Sequence, residues 1–122
     1  MGRIFLTGQL KRFTEAYMEC ALWCSIDDNG ALVEDTYTAD DLAPVTRAQM
    51  VADCTEFWNV HHDRVDDANR AGQDFWLTRN WHGAGFWDGD YPEHIGEILT
   101  DASHDYGSFD LYVDDNGLVS HY

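Results

Sequence analysis

The chain has 122 residues, 44% hydrophobic and including 5 Trp, 6 Tyr and 6 Phe. A chain of this length buries roughly two-thirds of its unfolded surface, so this apolar content predicts one folded domain over 1–122 and excludes intrinsic disorder. Twenty-three Asp and Glu against seven Lys and Arg give a formal charge of −16; this argues against direct nucleic-acid binding, which needs cations to displace phosphate counterions.

No apolar run approaches the ~20 residues of a membrane span, and residues 1–7 lack the long apolar stretch of a secretory signal. A soluble protein of a reducing cytoplasm, with no membrane partner, is expected. Residues 1–12 hold Arg3, Lys11 and Arg12 and no acid. They read as a basic, flexible segment able to fold back on the acidic remainder. Asp outnumbers Glu by 17 to 6, a bias that also suits a salt-adapted source.

The first predicted helix covers about 9–25, where Phe13, Tyr17, Cys20 and Cys24 form one helical stripe. Cys20, Cys24 and Cys54 are odd in number, which argues against a closed disulfide framework. Their spacing is a poor match to a zinc site, so they read as small core residues and no metal is expected. Asp27-Asp28-Asn29-Gly30 resembles part of a calcium loop but lacks the terminal bidentate Glu, because Thr36 stands there. The same tetrapeptide recurs at Asp114 to Gly117, where it reads as hairpin-turn chemistry. Residues 31–38 are expected to be a short strand or extended segment.

Thr38-x-x-Asp41 predicts a capped turn, and Pro44 suits the first turn of a longer helix reaching about Asn69. Val51, Cys54, Trp58, His61 and Val65 supply its apolar seam, with Asp53, Glu56, Asp63, Asp66 and Asp67 on the other faces. His61 then reads as a hydrogen-bonded core residue. His62 and Asp66 lie one turn apart but lack the further ligands of an ion site.

Asp74-Phe75-Trp76-Leu77-Thr78 is β-prone and aromatic, and with Gly85-Phe86-Trp87 it predicts two antiparallel strands, with Trp76 and Trp87 as a cross-strand pair. Asp90-Tyr91-Pro92-Glu93 reads as a capping box. It opens a helix whose face is Ile95, Ile98, Leu99 and Ala102 and which Gly107 terminates. Phe109, Leu111 and Val113 alternate with polar residues, and Asn116-Gly117 turns the chain into Leu118-Val119-Ser120-His121-Tyr122. The expected order is α-α-β-β-α-β-β, an α+β domain with a small antiparallel sheet packed by helices.

Residues 79–90 concentrate glycine, aromatic and polar groups. Gly83-Ala84-Gly85 has no Walker lysine and no dinucleotide fingerprint, so no phosphate cradle and no cofactor are expected. His82 with Asp88 or Asp90 supplies the residue types of an acid/base pair, and Arg79 an anion clamp, but no nucleophile accompanies them. A small hydrolase is therefore the weakest of three readings. In a structural alternative, Arg79, His82 and Asp88 tie the hairpin together.

The run Gly72-Gln73-Asp74-Phe75-Trp76-Leu77-Thr78-Arg79-Asn80, followed by His82-Gly83-Ala84-Gly85-Phe86-Trp87-Asp88, resembles the signature of a family of small acidic phage and prophage proteins. The resemblance extends to Glu19-Cys20-Ala21-Leu22-Trp23, Leu42-Ala43-Pro44 with Met50-Val51-Ala52-Asp53-Cys54, and Asp110-Leu111-Tyr112-Val113. It implies a phage genomic setting rather than a mechanism. Trp81 and Cys24 depart from it, since smaller or polar residues are usual there.

Charge and setting together lead to the expectation of an anti-defence protein. It would block a host nucleic-acid-processing complex of restriction or CRISPR type by occupying a basic groove as a nucleic-acid mimic. The expected acidic contacts are Asp27, Asp28, Asp40, Asp41, Glu56, Asp63, Asp66 and Asp67. The expected hairpin contacts are Arg79, Trp81, His82, Phe86, Trp87 and Asp88. A phage adaptor binding through an exposed aromatic patch of Trp81, Phe86, Trp87 and Tyr91 is the alternative.

Overall fold

The computed structural model describes residues 8–88 and 90–122. It is a mixed α+β structure of four α-helices and one two-stranded antiparallel sheet. The helices are α1 (Gly8–Cys24), α2 (Pro44–His61), α3 (Ala68–Arg79) and α4 (Glu93–His104). The strands are β1 (Leu111–Val113) and β2 (Val119–His121), and short 3-10 turns occupy Val33–Asp35, Ala39–Asp41 and His62–Arg64. Lys11 and Arg12 of the expected flexible segment lie within α1, and residues 1–7 fall outside the described residues.

Helix α1 follows the predicted stripe: Phe13, Tyr17 and Cys20 are buried and Cys24 half-buried. Asp27 then closes a tight loop by accepting hydrogen bonds from the Asn29 and Ala31 amides. Leu32 bridges back to Ile26, but the expected extended segment becomes a 3-10 turn at Val33–Asp35. Thr38 and Asp41 form the predicted capping box.

The long second helix ends early. Helix α2 stops at His61, a 3-10 turn follows, and Val65 is extended at φ −119°, ψ 142°. Asp67 then caps a new helix by accepting the Asn69 and Arg70 amides at 3.0 and 3.2 Å. The 74–78 segment, expected as a strand, is therefore the second half of α3. Its burial has the helical period, with Ala71, Gly72, Phe75, Trp76 and Arg79 inward. Local β-propensity is overridden by packing against α1, where Gly72 lies so close to the Phe13 carbonyl that any Cβ would collide with it.

The partner strand at 85–87 is likewise absent; these residues are bends and turns folded onto α3, and Trp76 and Trp87 form no cross-strand pair. The Phe86 amide donates to Thr78 Oγ1 at 3.0 Å, and Gly85, at φ +155°, has no room for a side chain beside that hydroxyl. The predicted capping box at Asp90 also does not form. Pro92 occupies the N-cap position of α4 with no side-chain cap. Within α4, Leu99 is buried with Gly96 and Ser103, whereas Ile98 turns outward. Gly107 terminates the segment at φ +73° as expected.

The C-terminal hairpin matches the alternation, pairing Leu111 with His121 and Val113 with Val119. It docks on the start of α2 through the Ala43 amide on the Val119 carbonyl (2.8 Å) and a 2.7 Å hydrogen bond between Thr46 and His121. The core is an aromatic stack in which Phe57 of α2 meets Phe75 of α3 at 4.2 Å between ring centroids and Phe13 of α1 at 5.9 Å. Phe57 was not on the predicted seam of α2. Of that seam, Cys54 and Trp58 are buried, while Val51, His61 and Val65 are only partly covered.

Candidate functional site

The predicted hairpin contacts divide into core and surface groups. Arg79 is 3% exposed. Its guanidinium donates to Asp53 Oδ2 and the Tyr17 hydroxyl, each at 2.9 Å, and to the Gly107 and Tyr106 carbonyls at 2.8 and 2.9 Å. It also lies over the Phe75, Tyr106 and Phe109 rings. A guanidinium with its donors so engaged joins α1, α2, α3 and the segment after α4; it is not a partner contact or an anion clamp. Phe86 is also withdrawn from the surface, packed among Phe57, Tyr91 and the helix α4 glycine Gly96.

Trp81, His82, Trp87 and Asp88 remain exposed. Trp81 has φ +60° and is 70% exposed. Its conformation has a local cause: the Trp81 amide donates to the Thr78 carbonyl at 3.1 Å and the His82 amide to the Leu77 carbonyl at 3.0 Å. These two bonds make a Schellman motif closing α3, with tryptophan in the left-handed position that glycine usually takes. Its indole stacks on the His104 ring with centroids 3.6 Å apart. Asp88 Oδ2 accepts the Gly85 amide. Among the described residues no hydrogen bond or ion pair joins His82 to Asp88 or to Asp90, which is paired with Arg70, so the acid/base pair of the hydrolase reading is not assembled.

A buried carboxylate lies beneath this loop. Asp74, 7% exposed, accepts the Tyr91 hydroxyl at 3.1 Å, and Arg70 pairs with Asp90 at 2.9 Å nearby. Burial pushes the Asp74 carboxyl up to about 6, partly offset by the Tyr91 hydrogen bond. Tyr91 is thereby half-buried rather than part of an open aromatic patch.

The predicted acidic contacts come from several places. Asp27, Asp41 and Asp67 bond loop or helix-end amides, and Glu56 accepts the Tyr106 hydroxyl at 2.8 Å. Asp63, Asp66 and Asp67 line one hollow with Asp90, but Arg64 and Arg70 stand among them. Asp40 and Asp41 lie at the opposite end of α2, whose 18 residues span ~27 Å. Glu56, expected on one long helix with Asp63, Asp66 and Asp67, is thus separated from them by the end of α2 at His61.

The sequence reading missed a second acidic region. Ala16, Glu19, Cys20 and Trp23 share one stripe of α1 and, with Gln73 and Leu77 of α3, enclose a hollow of about 400 Å³ edged by Glu34. Its sequence signal was Trp23 four residues after Glu19, off the Phe13, Tyr17, Cys20 and Cys24 stripe of the helix. A neighbouring hollow shares Glu19 and Glu34 and adds Asp40 and Tyr37.

Among the described residues no group of three or more metal-ligating side chains converges, and no helix is long and apolar enough to cross a membrane. No protein-family model, curated protein or solved structure matches the chain.

Proposed function

We propose that this chain is a binding protein that offers carboxylates to the basic, nucleic-acid-receiving surface of a partner. In the phage setting implied by the sequence resemblance, that partner is a host restriction or CRISPR-type complex and the protein is its inhibitor. The observation that carries this reading is that four of the six described Lys and Arg residues are engaged within the protein, with Lys11 and Arg12 exposed. Arg79 is buried on Asp53, Arg70 is paired with Asp90, Arg64 lies 4.0 Å from Asp63, and Arg47 donates to the Ala39 carbonyl. Only three carboxylates are in ion pairs among the described residues, out of 23 acids in the chain. The surface field is therefore strongly negative and favours a cationic partner.

A salt-series pull-down from host lysate tests this reading. An electrostatic complex weakens steeply as screening rises, whereas a captured partner retained equally at low and high salt contradicts the proposal.

The adaptor reading has one specific observation in its favour, the outward Trp81 held in a left-handed conformation. With Phe86 buried and Tyr91 bonded to Asp74, its patch reduces to Trp81 and Trp87. Trp81→Ala abolishing partner capture while charge-neutralising variants leave it intact would favour this reading.

A further inference from the structure

We propose that the hollow between α1 and α3 is a seat for an arginine side chain carried by a basic segment of the protein partner. This inference rests on the acidic-binder reading above and names where on the surface recognition is concentrated. The floor is apolar, made by buried Ala16 and Cys20 and by Leu77. Trp23, 59% exposed, supplies an indole at the rim. Glu19 enters from α1 and Glu34 from the 3-10 turn at Val33–Asp35; both are exposed, and neither has an ion pair or hydrogen bond among the described residues.

These parts match the chemistry of arginine: an aliphatic stem for the floor, a weakly hydrated planar cation for an indole face, and a fork of donors for carboxylates. The charge complementarity is local as well as global. Among the described residues, no Lys, Arg or His lines this hollow or the neighbouring one that shares Glu19 and Glu34. By contrast, the hollow with Asp63, Asp66 and Asp67 holds Arg64 and Arg70, one beside Asp53 and Glu56 holds His61, and one beside Cys24 and Asp110 holds His82. Asp40 adds a third carboxylate on the adjoining hollow, so a segment with successive basic residues meets Glu19, Glu34 and Asp40 along the two hollows.

The test uses the full chain, with labelled oligoarginine and oligolysine peptides as probes. Binding is measured by fluorescence anisotropy and by NMR of the indole N–H signals. Saturable movement of the Trp23 indole resonance is expected, with Trp81 and Trp87 unmoved. Trp23→Leu, and separately the double variant Glu19→Gln/Glu34→Gln, should each weaken oligoarginine binding about tenfold. The charge-matched control Glu97→Gln/Asp101→Asn on the exposed side of α4 should weaken it less than about twofold, and oligolysine should bind at least about threefold more weakly than oligoarginine.

If the control weakens binding as much as the trough variant, or if the Trp23 signal stays still while peptide binds, the seat is overturned and the diffuse acidic reading stands. If the folded wild-type chain fails to bind oligoarginine even at low salt, both fall.

Discussion

Arg79 and Asp53 meet at 2.9 Å between α3 and α2, with the guanidinium side chain 3% exposed and the carboxylate 15%. Truncating the arginine leaves Asp53, the Tyr17 hydroxyl and two carbonyls without their shared donor. Arg79→Met should therefore cost about 3–5 kcal/mol of unfolding free energy. Asp53→Asn should cost less, because the guanidinium keeps its other acceptors. Urea denaturation of both variants checks the order, and equal small losses would show that the ion pair does not organise the core.

Asp74 gives a pH signature. Its folded-state value is raised from 3.8 to about 6, so the native state holds the proton more tightly than the unfolded chain. The resulting stabilisation is complete below about 3.8 and is lost as pH rises through about 6. Asp74→Asn, which keeps an acceptor for Tyr91, should be more stable than wild type at pH 8 by about 2–3 kcal/mol. The difference should shrink as pH falls from 6 towards 4. Denaturation midpoints across that range measure it, and a constant difference would contradict the assignment.

Gly72 and Trp81 set two backbone predictions at opposite ends of α3. Gly72→Ala drives a methyl into the Phe13 carbonyl of α1 and should cost about 2–3 kcal/mol, as overpacked sites do. At Trp81, glycine and alanine both remove the stack on His104, but only glycine relieves the positive φ. Trp81→Gly should therefore exceed Trp81→Ala in stability by about 1 kcal/mol. Thermal or urea unfolding of the four proteins decides both points.

The thiols differ in accessibility. Cys54 is fully buried, and burial, followed by the neighbouring Asp53 charge, pushes its thiol well up. Cys24 is half-buried and Cys20 lies behind it, with the two sulfurs 3.9 Å apart. A soluble maleimide at neutral pH should label Cys24 first and Cys54 only on the timescale of global unfolding. Mass spectrometry of partly labelled protein reads the order.

The parts of the fold that were legible are those whose signals are local. The stripe of α1, the Thr38/Asp41 cap, the Gly107 stop and the alternation of the C-terminal hairpin each follow from a few neighbouring residues. The turn chemistry expected at Asp114 to Gly117 holds, and the same tetrapeptide at Asp27 to Gly30 adopts one geometry with it. Asp27 and Asp114 each donate an amide to the residue four ahead and accept that residue's amide on the side chain, with Gly30 at φ +82° and Gly117 at φ +76°.

Helix α3 was not legible because Phe75-Trp76-Leu77-Thr78 has the composition of a strand, and its helical period is visible only if Arg79 is counted as buried. Nothing within a few residues of Arg79 announces Asp53 and Tyr17 as its partners. The same gap misplaced the site: reading Arg79 and Phe86 as hairpin contacts missed that both turn into the core. Treating residues 44–69 as one helix joined carboxylates that the break at His61 separates. Glu19, Trp23 and Glu34 come together only through packing of α1, α3 and the following turn.

Under the proposed function, the acidic surface fits a cationic cleft that otherwise receives nucleic acid. Competition decides this: the full chain is immobilised, partners are captured from host lysate at low salt, and the beads are challenged with duplex DNA. Nucleic-acid-processing proteins should be released by the DNA, because both ligands compete for one basic surface. Captured proteins that DNA leaves on the beads, retained also when Glu19 and Glu34 are neutralised, would refute the proposal.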